Sequence, residues 1–166
     1  MSKVLITGGA GFIGYHLAKK LVSENHQVDI VDNFSRGVKD GDLDKLKESK
    51  KFNVINLDLE DTESVIKLDK DYTYIYHLAA IVGVKHVYSD PYKVLDKNFF
   101  LLKNIISLSR IQKKIKCLIF ASTSEVYAST LLDYGIDFPT KEDTKISIGN
   151  DYRKRNTYML SKLYGE

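Results

Sequence analysis

Tyr158 and Lys162 stand four residues apart in Tyr158-Met159-Leu160-Ser161-Lys162, a stretch patterned as a helix. That spacing puts both side chains on one helical face. A phenol with a pKa of about 10 is a poor base at neutral pH, and a nearby ammonium favours its phenolate form and lowers that value. Upstream, in Ser122-Thr123-Ser124-Glu125-Val126-Tyr127, Thr123 offers a hydroxyl that could share a proton with Tyr158 and a substrate. Together the three could take the proton of an alcohol. Tyr-x-x-x-Lys alone is common by chance, and a helical tyrosine is usually packing. The pair gains meaning from what precedes it.

What precedes it is Thr7-Gly8-Gly9-Ala10-Gly11-Phe12-Ile13-Gly14. This stretch follows the apolar run Lys3-Val4-Leu5-Ile6. It leads into an amphipathic segment in which Ile13, Leu17 and Leu21 share a helical face. The pattern is strand, glycine-rich turn, helix. Gly8 permits a tight turn, Gly11 lets the backbone approach a pyrophosphate, and Gly14 lets the helix pack closely on the strand. The helix N-terminus then offers unpaired N–H groups and its positive dipole end to phosphates. Glycine spacing alone is a weak signal, since such a turn can merely close a strand–helix corner. A second strand, Gln27-Val28-Asp29-Ile30-Val31, ends in Asp32, where a carboxylate would accept from the ribose hydroxyls of an adenosine and repel a 2′-phosphate. NAD is therefore favoured over NADP. The plainer reading is that Asp32 caps an Asp-Asn turn. With NAD present, the charged nicotinamide would further favour the Tyr158 phenolate, and Lys162 could bond the nicotinamide ribose.

The elements that must carry these groups follow in order. Asn33-Phe34-Ser35-Arg36-Gly37 reads as a loop near the adenosine, where Arg36 could approach a phosphate but reads more plainly as facing solvent, and a weak helix covers Leu43 to Lys50. A third strand, Phe52 to Leu57, runs into Asp58-Leu59. There Asp58 could accept from an adenine amino group beside an apolar neighbour, or could begin the next helix as its N-cap. A short helix over Thr62–Leu68 precedes a fourth strand, Tyr74 to Leu78, which opens onto the small residues Ala79-Ala80. His77, with apolar neighbours on both sides, reads as a core histidine, while His86 lies in an irregular segment and has no role. A long helix over Tyr92–Gln112 draws its period from Leu95, Phe99, Leu102, Ile105, Ile106 and Ser109, and Asn98 within it bonds to backbone. The fifth strand, Cys117 to Ala121, makes Cys117 a small buried hydrophobe. Residues 128–156 are polar, with Gly135, Pro139 and Gly149, and read as a loop over the site.

Strands alternating with helices imply an α/β fold: a doubly wound parallel sheet with right-handed crossovers, in one Rossmann-like domain spanning residues 1–166. Ligands of such sheets bind outside the carboxyl ends of the strands. Gly8–Gly14, Asp32, Asp58, Ala79–Ala80 and Ser122–Ser124 all fall there. The 166 residues suffice for one core, and 43% hydrophobic and 28% charged residues are ordinary for a globular protein. A net charge of +3 makes no case for nucleic acid. One cysteine excludes an internal disulfide and fits a reducing cytoplasm. No apolar run approaches the roughly 20 residues that span a bilayer. No metal-ligand cluster stands out.

The ordered set resembles the extended short-chain dehydrogenase/reductase family, specifically its NAD-dependent nucleotide-sugar epimerases and dehydratases. The matching pieces are Thr7 to Gly14, Asp32 to Gly37, Asp58-Leu59, His77-Leu78-Ala79-Ala80, Asn98, Ser122 to Tyr127 and Tyr158 to Lys162. The resemblance implies NAD as cofactor, held by Gly8, Gly11, Phe12, Ile13, Gly14, Asp32, Asn33, Ser35, Asp58, Leu59, Leu78, Ala79, Ala80, Asn98, Tyr158 and Lys162. Thr123 takes the catalytic Ser/Thr place, Tyr158 is the base and Lys162 its partner; Asp58 and Leu59 take the adenine role. Thr123-Ser124-Glu125 is similar to the Thr-Ser-Glu of GDP-mannose 4,6-dehydratases and UDP-glucuronate decarboxylases, which makes Glu125 a catalytic candidate beside its reading as a surface residue. The implied reaction oxidises C4 of a UDP- or GDP-sugar, then epimerises, dehydrates or decarboxylates through a 4-keto intermediate. Relatives dimerise through helices matching residues 92–112 and 155–166, so a homodimer is expected. Ala128 departs from the usual glycine. The family continues well past Glu166, so the resemblance implies a chain lacking the C-terminal substrate domain. A dinucleotide-binding module without chemistry is the alternative.

Overall fold

Lys3–Thr7 forms β1, and every residue after Lys3 in it is buried. It is the middle of a sheet read from a computed structural model that describes residues 1–37, 41–149 and 153–166. Among the described residues, β1, β2 (Gln27–Asp32), β3 (Phe52–Asn56), β4 (Tyr74–His77) and β5 (Cys117–Phe120) pair in the order β3-β2-β1-β4-β5. All pairs are parallel, with Val4 facing Val28 on one side and Tyr74 on the other. Chain order reverses at β1, which is the switch point of a doubly wound sheet.

The period-2 alternation of the strands sorts their side chains into two cores. Val4, Ile6, Val28 and Ile30 pack with Ala18 of α1 (Phe12–Ser23) and Leu43 of α2 (Gly41–Lys47). Leu5, Val31 and Ile75 pack with Val65 of α3 (Thr62–Ile66) and with Leu101, Ile105 and Leu108 of α5 (Pro91–Arg110). Each such side chain contributes about 1.5–3 kcal/mol by leaving water. The α5 stripe is Val94, Asn98, Leu101, Leu102, Ile105 and Leu108, shifted from the expected one because Phe99 is exposed.

At the amino ends of the strands a charged cluster replaces apolar packing. The Tyr72 ring is fully buried and its hydroxyl donates to Asp29 Oδ2 at 2.7 Å. Lys3 pairs with Asp69, and lies 3.8 Å from Asp29 and 3.4 Å from Asp71. Burial, then the Asp29 charge, push the Tyr72 phenol far above its ordinary range, so it stays a donor.

The chain divides into two compact units: Met1–Ala80 with Phe100–Ala121, and Ile81–Phe99 with Ser122–Glu166. The first holds the sheet. The second contains α4 (Val84–Ser89), the start of α5, a 3-10 turn at Ser124–Tyr127, α6 (Ala128–Tyr134) and α7 (Asn156–Leu163). Within it, Thr130 Oγ1 donates to Lys145 O at 3.0 Å and accepts from Ser147 N at 2.8 Å, tying residues 145–147 to α6.

Several expectations are corrected. Residues 128–134 are helical rather than loop; of the same expected loop, residues 150–152 lie outside the described residues. His86 sits in α4. Cys117 is exposed, because it opens β5 at the sheet's edge strand instead of lying inside it. α2 stops at Lys47, α3 at Ile66 and α5 at Arg110.

Replacing Tyr72 with Phe removes one buried bond to a carboxylate that keeps Lys3 as a neighbour. Chemical denaturation should show a loss of about 1–2 kcal/mol; an unchanged midpoint would mean that the hydroxyl contributes nothing to the cluster.

Candidate functional site

The first unit builds a cradle where β1 ends. Gly8 has φ +68°, and a Cβ there would lie 2.8 Å from the backbone nitrogen of Ala79. At Gly14 a Cβ would lie 2.5 Å from Gly8 O and 2.6 Å from Gly9 Cα. Both positions therefore exclude any side chain, and α1 starts hard against the turn. Gly11 is its N-cap, no side chain caps it, and its first turn carries no acidic residue. The end of α1 thus keeps its positive potential for an anion. Phe12 and Ile13 are 81% and 69% exposed there, so Ile13 faces outward instead of joining Leu17 and Leu21 in the core.

Asp32 ends β2 with its carboxylate engaged. Oδ2 accepts from Ala10 N at 3.0 Å and Oδ1 from Phe34 N at 2.8 Å. The turn reading is therefore correct, and it leaves acceptor capacity on both oxygens for hydroxyls, since a carboxylate has about four lone-pair sites. Asn33 donates to Asp58 Oδ2 at 3.0 Å, and Ser35 N donates to Asn33 Oδ1 at 3.0 Å. Asp58 Oδ1 accepts from Glu60 N at 2.9 Å. It is not an N-cap: α3 is capped by Asp61, whose side chain accepts from Ser64 N. Leu59 is buried in the core, so its side chain is not free to pack on an adenine ring, and only its backbone could serve there. Leu78, Ala79 and Ala80 are half-buried beyond β4. Thr7 Oγ1 accepts from Ala79 N at 3.3 Å and bonds His77 Nδ1 at 2.7 Å. His77 is buried and stacked on Phe120, a core histidine that fixes this strand end.

The second unit carries the groups suited to proton transfer. Thr123 precedes the 3-10 turn in extended conformation, and its hydroxyl accepts from Glu125 N at 3.3 Å. Tyr158 and Lys162 share a face of α7, with Nζ 5.8 Å from the phenol ring centre. Lys162 is 4% exposed. Burial pushes its ammonium down from 10.5 to about 8. The Tyr158 phenol is raised rather than lowered as expected: burial disfavours phenolate most, a hydrogen bond from Thr123 acts the other way, and the Glu125 charge adds to the rise.

Asn98 behaves as expected. Its Oδ1 accepts from Ile81 N at 2.7 Å and its Nδ2 donates to Ile81 O at 3.1 Å and to Ser161 Oγ at 3.4 Å. A cavity of about 800 Å³ in this unit is lined by Thr123, Glu125, Tyr127, Arg155 and Asn156, among others; Tyr158 and Lys162 are not among them. Glu125 is neither free nor simply solvated, because Arg155 forms an ion pair with it. Arg155 escaped the sequence reading; its place three residues before Tyr158 was the available signal. Among the described residues, no group of His, Cys, Asp and Glu could hold a metal ion, and no helix is long and apolar enough to cross a membrane.

Residues 4–166 match the model of the NAD dependent epimerase/dehydratase family. The chain belongs to that family. It is 42% identical to the UDP-N-acetyl-alpha-D-glucosaminuronate decarboxylase of Bacillus cytotoxicus, over 99% of this chain and 48% of that protein. It is 31% identical to the UDP-glucuronate 4-epimerase of Thermodesulfobacterium geofontis, over 88% of this chain and 45% of that one. Among solved structures it is similar to the UDP-Glc/GlcNAc 4-epimerase of Campylobacter jejuni, with a TM-score of 0.82 and 27% identity, covering 99% of this chain and 47% of that one. The epimerase-family chain thus spans about half the length of these relatives. NAD is the family's cofactor, and the first unit fits it. The crowded glycine turn, the uncapped start of α1 and the Asp32 carboxylate suit a pyrophosphate and an adenosine ribose.

The buried Lys162 has a measurable consequence. Between about pH 8 and pH 10 the unfolded chain holds this lysine's proton and the folded chain does not, so stability rises with pH. Denaturation of the native chain minus that of Lys162→Met, across that window, should show this rise. A flat difference would place Lys162 in solvent.

Proposed function

We propose that this family member acts on a nucleotide sugar, oxidising its C4 hydroxyl with NAD and proceeding through a 4-keto intermediate. The observation that carries the reading is the pairing on α7: Tyr158 with Lys162 on one face, and a hydrogen bond between Thr123 and the phenol. NAD supplies the hydride acceptor when bound. Tyr158, as phenolate, takes the proton of the C4 hydroxyl. Thr123 shares that proton through its own hydroxyl. Lys162, as an ammonium, offsets the phenolate charge.

We further infer that the substrate is a UDP-linked uronate and that the outcome is decarboxylation. Both sequence relatives above carry a uronate in their names, and the one matched along nearly the whole chain is a decarboxylase. A uronate oxidised at C4 is a β-keto acid, which loses carbon dioxide readily as electrons move into the ketone. Thr123-Ser124-Glu125 supports this outcome, with Glu125 handling a proton at C5 and Arg155 fixing its carboxylate. The alternative of a binding module without chemistry is not favoured, since the relatives are enzymes. A homodimer through α5 and α7 is the proposed assembly: Tyr92, Phe99 and Tyr164 are exposed on or beside them, with the Phe99 and Tyr164 rings 4.4 Å apart. The proposed location is the cytoplasm.

The test is release of labelled carbon dioxide from UDP-glucuronate and UDP-N-acetylglucosaminuronate in the presence of NAD. Tyr158→Phe should cut the rate by about a hundredfold or more. Turnover that survives this change would remove Tyr158 as base, and oxidation of a neutral UDP-hexose with no carbon dioxide from either uronate would reject the uronate reading.

A further inference from the structure

The segment after β3 is held by an amide that nothing above uses. Asn104 on α5 is 2% exposed. Its Nδ2 donates to Leu59 O at 2.7 Å, and its Oδ1 accepts from Thr62 Oγ1 at 3.2 Å. Both bonds go to the Leu59–Thr62 stretch, and neither serves α5. Immediately before it, Asp58 is fixed by Asn33 through Oδ2 and by Glu60 N through Oδ1. Leu59 itself is anchored in the core. The backbone carrying Asp58 is therefore pinned at its own carboxylate, at the next side chain and at the next carbonyl.

A buried amide among apolar helix residues carries a desolvation cost that only its hydrogen bonds recover. A leucine would fill the same stripe without that cost. What the amide supplies is a fixed place for the Leu59 carbonyl, and hence for the Asp58 carboxylate one residue earlier. A carboxylate is an acceptor and meets the amino group of adenine well. It meets the carbonyl oxygen that hypoxanthine carries at the same position badly, because two acceptors then oppose each other.

We propose that Asn104 is a positioning residue for adenine recognition: it fixes the Leu59 carbonyl so that Asp58 discriminates adenine from other purines in the bound dinucleotide. This rests on the reading that Asp58 meets the adenine. Asn104 touches no ligand and acts through the segment it holds. The proposal concerns binding, and is independent of whether the chain turns over a sugar.

The experiment measures Kd by calorimetry for NAD and for nicotinamide hypoxanthine dinucleotide, with the native chain, Asn104→Leu and Asn104→Asp. The native chain should prefer NAD. Both variants should bind NAD about tenfold more weakly, the size expected when one buried hydrogen bond is lost, and should lose most of the preference. If the native chain shows no preference, the adenine reading fails and takes the proposal with it. If the native chain prefers NAD and either folded variant keeps both affinity and preference, the reading stands and the positioning role is overturned. A variant that melts earlier but keeps the ratio also overturns it, since a merely structural amide would behave so. A measurement on the native chain needs no variant: the side-chain amide resonance of Asn104 should shift on adding AMP or NAD and stay in place with nicotinamide mononucleotide. An unmoved resonance with all three would contradict the proposal.

Discussion

No side chain fits at Gly8 or Gly14, where β1 turns into α1. A Cβ at Gly8 would collide with the backbone that leaves β4, and one at Gly14 with the turn itself. This crowding brings the first turn of α1 against the strand end, with its N–H groups uncapped. The positive end of the helix then lies at the mouth of the central strand, at the switch point of a parallel sheet. The neighbouring contacts reinforce the arrangement. Thr7 ties the end of β1 to His77 and Ala79, and Asp32 ties the end of β2 to Ala10 and Phe34. The cradle is built mostly of backbone, which does not reorganise when a phosphate arrives.

The two units use electrostatics in different ways. In the first, a fixed carboxylate and neutral backbone donors would sort a ligand by where it carries hydroxyls and phosphates. In the second, burial works on ionisable groups, lowering Lys162 to about 8 and raising Tyr158. The raised phenol follows from desolvation exceeding the help of a single hydroxyl.

Much of this was legible in the sequence. The parallel sheet and the β1–α1 turn follow from alternating apolar runs and from glycine spacing, because both are local patterns. His77 was correctly assigned to the core from its apolar neighbours, and Asn98 to backbone bonding. What failed depended on contacts far apart in the chain. Ile13 has helical spacing with Leu17 but sits where α1 opens outward. Leu59 was expected on a ring and is in the core, because the strand end turns it inward. Cys117 lies in an apolar run and is exposed, since it is the first residue of an edge strand. The helix α6 was hidden by its polar residues and the glycine that ends it. Asn104 carried the same signal as Asn98, an amide in an apolar stripe, and was passed over because it lies outside the motif.

NAD meets this chain first at the Asp32 carboxylate and the start of α1. Calorimetric titration of the native chain with NAD and with NADP addresses both at once. NAD should bind, and NADP at least about tenfold more weakly, because its extra phosphate meets a fixed negative charge. Equal affinity for the two, or no binding of NAD, would contradict it.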